Sequence, residues 1–223
     1  VASAKDAKMG EGKQQGESSG ESGDDIFDAQ MRAQLETVFS RMENPLVLKV
    51  YPDERAVSQE LQAYMEKLTA MTDKLTLQVI EGHQESYAPC VRLYREDGSY
   101  TGLAFHGVPG GHEFTSFVLG LYNASGPGQQ IDEQTHQEIK DVKSSVDMKI
   151  LVSLSCTMCP DLVIACQHIA TLNENICAEV YDIQHFEELK KKYNVMSVPC
   201  LVINDDKVSF GKKNINQVLE LIK

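Results

Sequence analysis

The chain of 223 residues lacks several features that mark whole classes of protein. No apolar run approaches the length of about 18 residues that a membrane-spanning helix needs, and no apolar core typical of a secretory signal opens the chain. Basic residues are few, since 21 lysines and arginines stand against 33 aspartates and glutamates, for a formal net charge of −12. Nucleic acid and anionic membranes need a basic face, so neither is expected as a partner. Because both a spanning segment and a secretory signal are missing from the sequence, we expect a cytoplasmic protein.

The cysteines also lack the pattern of a secreted disulfide scaffold. In a reducing compartment, a close pair is more often catalytic or metal-binding than structural. Cys156 and Cys159 form the only CxxC, and the second ligand pair that a zinc site needs is missing. No GxGxxG follows a strand, so we expect no FAD or nicotinamide site of that kind in this chain.

Residues 1–25 differ in composition from the rest of the chain. They hold five of the fifteen glycines and almost no apolar side chains, which predicts a flexible linker or tail. The chain begins with Val1, which indicates a processed protein or a piece of a longer polypeptide.

From residue 26 onward, hydrophobic periodicity predicts two similar halves joined by a charged helix. We expect a first fold over 26–126, a connecting helix within 127–146 and a second fold over 147–223. The predicted strands are 46–51, 75–80, 90–94, 101–105, 149–155, 177–183, 200–203 and 207–210, and the predicted helices are 28–42, 55–71, 113–122, 129–144, 157–172, 186–193 and 214–222.

The two halves repeat a short motif at the same place in the order of elements. The segment 88–94, which contains Pro89 and Cys90, matches 198–204, which contains Pro199 and Cys200, at an offset of 110 residues. Internal duplication explains this match better than coincidence does. Each half is βαβ followed by a hairpin and a helix, so the expected fold is α/β, with two tandem thioredoxin-like folds.

The chemistry of the second half is concentrated where a strand passes into a helix, at Cys156, Cys159 and Pro160. The sequence places Cys156 at the helix N-terminus, where backbone N–H groups and the macrodipole favour a thiolate. Cys159, one turn on, could then attack a mixed disulfide from within. This context favours a redox pair, although an inert buried pair and a chance CxxC stay open.

Two further positions bear on this site. Pro199 is expected to be cis and to lie against the CxxC, although trans is commoner for X–Pro bonds in general. In the first half, the segment 52–55 (PDER) stands where a CxxC would be, so that half should be scaffold, docking surface or provider of a helper group.

The remaining cysteines, Cys90, Cys166, Cys177 and Cys200, are expected to be core residues, with a small reservation for redox involvement of Cys200.

Three segments together resemble a known family. The segments 110–116 (GGHEFTS), 153–161 (SLSCTMCPD) and 194–199 (NVMSVP) are similar to the N-terminal domain of the flavin-dependent alkyl hydroperoxide reductases, and the resemblance covers about residues 28–223. It implies two fused thioredoxin folds, the first lacking its redox cysteines. It also implies electron transfer from a thioredoxin-reductase-like flavoprotein, with FAD and NAD(P)H, to the disulfide of a peroxiredoxin.

The resemblance also implies roles for single residues. Cys156 would attack the peroxiredoxin disulfide, Cys159 would resolve the mixed disulfide, and Glu113 would manage protons near the cysteines. Without the resemblance, Glu113 is interpreted as an acid in the first turn of its helix that interacts favourably with the helix dipole. The chain departs from the family in having Thr157 and Met158, with no histidine, between the cysteines.

Two more departures concern Cys200 and the flavoprotein. Cys200 stands where the family has a small residue. The flavoprotein portion is absent, and a reductase fused before Val1, in reversed order, would explain this.

Two other functions stay open at this point. One is a general protein disulfide oxidoreductase or isomerase of the archaeal two-fold type, which usually carries a CxxC in each half. The other is a binding module whose cysteines are incidental.

Overall fold

The computed structural model describes residues 25–223, so most of the predicted linker over 1–25 lies outside the described residues. The described chain alternates strands and helices in the order expected for two related halves. The helices are α1 (Ala29–Arg41), α2 (Ala56–Ala70), α3 (Glu113–Ser125), α4 (Glu133–Lys140), α5 (Cys159–Thr171), α6 (Glu187–Lys192) and α7 (Ile215–Ile222), and the strands are β1 (Leu46–Tyr51), β2 (Leu75–Val79), β3 (Cys90–Arg95), β4 (Tyr100–His106), β5 (Val146–Val152), β6 (Ile176–Asp182), β7 (Cys200–Ile203) and β8 (Lys207–Phe210).

All eight strands form one sheet, in the order β2-β1-β3-β4-β6-β5-β7-β8. Within each half a parallel pair, β1 with β2 or β5 with β6, is extended by an antiparallel hairpin. The halves join where β4 pairs in parallel with β6, from Leu103 opposite Ala178 to His106 opposite Tyr181. The predicted tandem thioredoxin folds are therefore confirmed, and they share a continuous sheet that the sequence did not predict.

The two faces of this sheet are covered unequally. Successive strand residues point to opposite faces, so Ile150 and Leu151 belong to two separate apolar clusters. The larger cluster takes its side chains from α1, α2, α3, α4, α5 and α7. The smaller one contains Leu189 of α6. The N-terminal ends of α3 and α5 thus belong to one helical layer on one face of the sheet.

Several predicted bounds differ from the structure. The strand predicted at 149–155 is Val146–Val152, because the chain turns after Val152 and the Cys156 N–H donates to the Ser153 carbonyl at 3.0 Å. The helix predicted at 129–144 is shorter, because the Asp132 side chain caps it by accepting from the Thr135 N–H. The domain limits stay a prediction.

The seam between the folds contains a charged cluster that the sequence did not suggest. Arg92 of β3 donates to Glu179 of β6 at 2.7 Å and to Glu85 at 3.0 Å. His106 of β4 lies with Nε2 2.9 Å from the same Glu179 carboxylate, and its ring stacks on Tyr181. Charges buried in this way must be paired to be tolerated, so the cluster fixes one pairing of the two folds.

Candidate active site

Cys156 and Cys159 are joined as a disulfide in the connection between β5 and α5, with Cα atoms 5.5 Å apart. Cys159 is the first residue of α5 and is fully buried, whereas Cys156 lies ahead of the helix and is partly exposed. The helix predicted from residue 157 therefore begins at 159, with Met158 as its N-cap. Cys156 sits in the preceding turn, so the macrodipole favours its thiolate less than a cap position would.

The Val198–Pro199 bond is cis, and it brings a backbone edge to the disulfide. The Cys156 Sγ atom lies 3.9 Å from the Val198 carbonyl oxygen. Behind it, the Pro199 carbonyl accepts a hydrogen bond from the Gly211 N–H at 3.0 Å, at the end of the β7–β8 hairpin. An incoming disulfide would therefore meet Cys156 beside the backbone that leads into β7.

Glu113 is the first residue of α3 in the first fold, and its side chain is fully buried. The Ser116 hydroxyl donates to its Oε2, while its Oε1 is buried without a hydrogen-bond partner. Burial raises the pKa of the Glu113 carboxyl to about 7, and the hydrogen bond from Ser116 opposes this shift. A carboxyl with this pKa changes protonation state near neutral pH.

The loop that leads into Glu113 packs on the segment that leads into Cys156. The His112 N–H donates to the Leu154 carbonyl at 2.9 Å. Gly111 has φ +52, and a Cβ atom at this position would lie 2.6 Å from the same carbonyl oxygen. Only glycine tolerates both the backbone angle and the approach. The first fold thus contacts the second two residues before Cys156.

Asp182 is a buried acid near this edge of the sheet that sequence reasoning missed. It ends β6 in register with Val152, the last residue of β5, and its Oδ2 is buried without a hydrogen bond. Burial raises the pKa of the Asp182 carboxyl. A hydrogen bond from the Gln184 N–H and the nearby His185, whose Nε2 lies 3.9 Å from Oδ2, both act to lower this pKa. The sequence signal that could have identified this residue is an acid at the end of a strand with alternating apolar residues.

The first fold has an arginine at the place that corresponds to this site. Asp53 lies three residues before Ala56, the first residue of α2, just as Cys156 precedes Cys159. Arg55 donates to the Ala88 carbonyl at 2.6 Å and to the His185 carbonyl at 2.7 Å, and it pairs with Asp53 at 2.7 Å. The Ala88–Pro89 bond is cis, like Val198–Pro199.

The other four cysteines do not approach the pair closely enough to bond to it. Cys90, Cys166 and Cys200 are buried, and Cys177 is partly exposed. Burial raises the pKa of the Cys90 thiol to about 12 and that of Cys200 to about 11, which leaves few thiolates at neutral pH. Over residues 25–223, no group of three or more His, Cys, Asp or Glu side chains could hold a metal ion.

Comparisons with known proteins agree with this arrangement. A thioredoxin-domain family model matches residues 146–223. The chain is 30% identical to a Bacillus subtilis protein named NADH dehydrogenase over 194 residues, and 30% identical to the alkyl hydroperoxide reductase AhpF of Pseudomonas aeruginosa over 197 residues. These alignments cover 87% and 88% of the chain but 37% of each relative, so the chain spans little more than a third of their length.

Two solved structures match over almost the whole of their chains. The NTD_N/C domain of the alkylhydroperoxide reductase AhpF from Enterococcus faecalis is 34% identical, with a TM-score of 0.82 over 88% of this chain and 100% of that one. A second Enterococcus faecalis AhpF structure gives 33% identity and a TM-score of 0.84 over 88% of this chain and 99% of that one. A protein disulfide oxidoreductase from Aeropyrum pernix shares the fold, with a TM-score of 0.77 at 21% identity over 89% and 92% of the two chains.

Fold and site together define a thiol–disulfide oxidoreductase built on two thioredoxin folds, with its redox pair in the second. Its likeness to the Enterococcus faecalis domain extends over both folds and not only over the CxxC. The chain belongs to the family of the N-terminal domain of the alkyl hydroperoxide reductase AhpF.

Proposed function

We propose that this chain passes electrons from a flavoprotein of the thioredoxin-reductase type, carrying FAD and using NAD(P)H, to the disulfide of a peroxiredoxin. The observation that carries this proposal is the redox pair in the second fold, in a connection whose Leu154 carbonyl accepts a hydrogen bond from the loop that precedes the buried Glu113 of the first fold. The names of the relatives support it, since they join alkyl hydroperoxide reduction to NADH oxidation. The flavoprotein is either a separate chain or joined to this one.

The exposures of the two cysteines support an order of attack. Cys156 is the more exposed, so its thiolate attacks one sulfur of the partner disulfide and releases the other as a thiolate. Cys159 then loses its proton and attacks Cys156 Sγ, which closes the internal disulfide and releases the second partner sulfur. Two electrons pass to the partner, and this chain is left oxidised until a donor reduces it.

Glu113 and Pro199 have supporting roles in this proposal. The Glu113 carboxylate accepts the proton of Cys159 and returns it to a leaving thiolate, for which a pKa of about 7 is suited. The cis Pro199 holds the Val198 carbonyl beside Cys156, where extended backbone of the partner can align. The proton acceptor thus comes from the fold that has no cysteine pair.

A reconstituted assay tests the proposal. It contains NAD(P)H, a thioredoxin-reductase-type flavoprotein, this chain, an oxidised peroxiredoxin and a hydroperoxide, and NAD(P)H oxidation should depend on this chain. Exchange with insulin and with scrambled ribonuclease, but not with the peroxiredoxin, would contradict the proposal and indicate a general disulfide oxidoreductase. No exchange with any of these substrates would indicate a binding module.

A further inference from the structure

Large apolar side chains are exposed at only three positions among the described residues, and all three lie in chain segments that adjoin the redox site. Met196 is 79% exposed, Met158 is 54% exposed and Phe210 is 38% exposed. Met158 lies two residues after Cys156, and Met196 lies two residues before Val198, whose carbonyl faces the Cys156 sulfur. We call these three residues the apolar rim.

Phe210 borders the site from the other side. It is adjacent to Gly211, whose N–H donates to the Pro199 carbonyl. Scattered single apolar residues on a surface need no explanation, but three of them, each within two residues of a group at one reactive bond, indicate a contact surface. To form a disulfide with Cys156, a partner sulfur must approach within about 2 Å of its Sγ, so the surface of the partner must meet this rim.

The two methionines of the rim can also be chemically modified. A hydroperoxide transfers one oxygen atom to a thioether sulfur: the O–O bond breaks, an S–O bond forms and an alcohol or water leaves, as the sulfur loses two electrons. The product is a polar sulfoxide in place of a flexible apolar side chain. While Cys156 and Cys159 are joined as a disulfide, neither presents a thiolate to the peroxide.

We propose that Met158 and Met196 are sites of reversible oxidation by hydroperoxide, and that their sulfoxides weaken docking of the protein disulfide at Cys156. This inference builds on the proposed function, because the peroxiredoxin partner works where hydroperoxide is present. Excess peroxide thereby slows electron delivery at the apolar rim without altering the cysteines. Reduction of the sulfoxides by methionine sulfoxide reductase restores docking.

Mapping the oxidised positions is the first half of the test. The disulfide form of the full chain is treated with hydrogen peroxide, freed of peroxide, digested and analysed by mass spectrometry. Among the methionines of residues 25–223, sulfoxide should form first at Met158 and Met196, ahead of the half-buried Met31 and Met71 and the buried Met65. Equal or faster oxidation at Met71 would overturn the inference.

Single-turnover exchange is the second half of the test. The chain, reduced and freed of reductant, is mixed with oxidised peroxiredoxin, with insulin, or with the small disulfide 5,5′-dithiobis(2-nitrobenzoate). Peroxide treatment should slow exchange with protein disulfides about fivefold, as expected for loss of a contact at an interface centre, and leave the small disulfide unaffected. Methionine sulfoxide reductase should restore the rate. Equal slowing with all three substrates would place the damage elsewhere and overturn the inference.

Variants separate this inference from the proposed function. Met158→Leu/Met196→Leu, measured against its own untreated rate, should no longer respond to peroxide, whereas Met71→Leu should respond as the parent does. A continued response of the double variant would overturn the inference. If the untreated chain exchanges with insulin but not with the peroxiredoxin, the proposed function fails. In that case, the rates of exchange with insulin before and after peroxide treatment still test whether oxidation of the apolar rim weakens docking.

Discussion

In the second fold, the carbonyl oxygen before the cis-proline faces a sulfur, with Val198 O 3.9 Å from Cys156 Sγ. In the first fold, the corresponding carbonyl of Ala88 accepts a hydrogen bond from Arg55 at 2.6 Å. The same guanidinium donates to His185 of the second fold and lies over the Phe186 ring. In one copy of this topology the backbone edge thus lies beside a disulfide. In the other copy the edge is hydrogen-bonded to an arginine of its own fold, and that arginine also donates to the second fold.

The last helices of the two folds differ in a similar way. In the first fold α3 begins with Glu113, whereas α7 in the second begins with Ile215 and has no acid in its first turn. The fold with the cysteine pair therefore lacks an acid at this position, and the fold without that pair has one, which is buried.

The largest expected effect comes from removing the working pair. Cys156→Ser should reduce exchange to the uncatalysed background, and Cys159→Ser should stop after the first step and trap a mixed disulfide with the substrate. Non-reducing electrophoresis and mass spectrometry detect the trapped species. Cys177→Ser, at a partly exposed free cysteine, is the control and should exchange at the parent rate. Faster alkylation of Cys159 than of Cys156 would reverse the proposed order.

Removal of the acid that the first fold supplies should have the next largest effect. Glu113→Gln should slow exchange about tenfold and remove the dependence on pH near 7, because the proton acceptor is lost. Stopped-flow exchange rates, measured for each variant from about two pH units below this pKa to about two above it, check this. Glu133→Gln, at the exposed first residue of α4, tests the helix-dipole interpretation, and an equal effect there would contradict the proton role.

A second prediction for Glu113→Gln concerns the stability of the fold. Because folding raises the pKa of Glu113 from 4.5 to about 7, its stabilising contribution is complete below pH 4.5 and is lost as pH rises to about 7. Glu113→Gln should lack this decline. The free energy of unfolding of the variant should therefore increase relative to that of the parent as pH rises across that interval. Urea unfolding at several pH values measures the gap, and a constant gap would refute the raised pKa.

Arg55→Ala should have a smaller effect, on stability more than on exchange. Its hydrogen bond to the His185 carbonyl links the two folds, and its hydrogen bond to the Ala88 carbonyl lies within the first fold. Loss of both should cost about 1–2 kcal/mol of unfolding free energy. The ion pair with Asp53 adds little, since the Arg55 side chain is 43% exposed. Arg41→Ala, at an exposed arginine in the last turn of α1, is the control. Equal unfolding free energies for the two variants would show that Arg55 does not hold the joint.

The smallest expected effect tests whether the two sites are interchangeable. In a chain with Cys156→Ser and Cys159→Ser, the further changes Asp53→Cys and Ala56→Cys place a CxxC in the first fold. We expect no exchange with insulin, because Arg55 still occupies the Ala88 carbonyl. Addition of Arg55→Ala should give a measurable rate. Activity with Arg55 intact would show that the arginine does not close this site.

Sequence patterns were sufficient for most of the fold. Strands at 46–51, 200–203 and 207–210 were predicted at the limits observed, because alternating side chains bounded by turn residues are a local signal. Local patterns were less reliable around residue 156. The turn that ends β5 at Val152 depends on a hydrogen bond between backbone groups, which side-chain periodicity does not report.

Two relations across the seam were not predictable from spacing. Arg55 and His185 are 130 residues apart, yet their groups are 2.7 Å apart in the fold. The seam pair Arg92 and Glu179 is 87 residues apart. Charged residues at such positions read in the sequence as ordinary solvated side chains, since nothing local marks them as partners.

The sequence by itself determined the duplication, the CxxC and its place between a strand and a helix, because these features depend on short-range periodicity and spacing. The tertiary structure decided that β4 pairs with β6, that Glu113 is buried with one unpaired oxygen, and that Arg55 donates to the Ala88 carbonyl. Burial and pairing of charges depend on which surfaces meet, and that is settled only when both folds pack together.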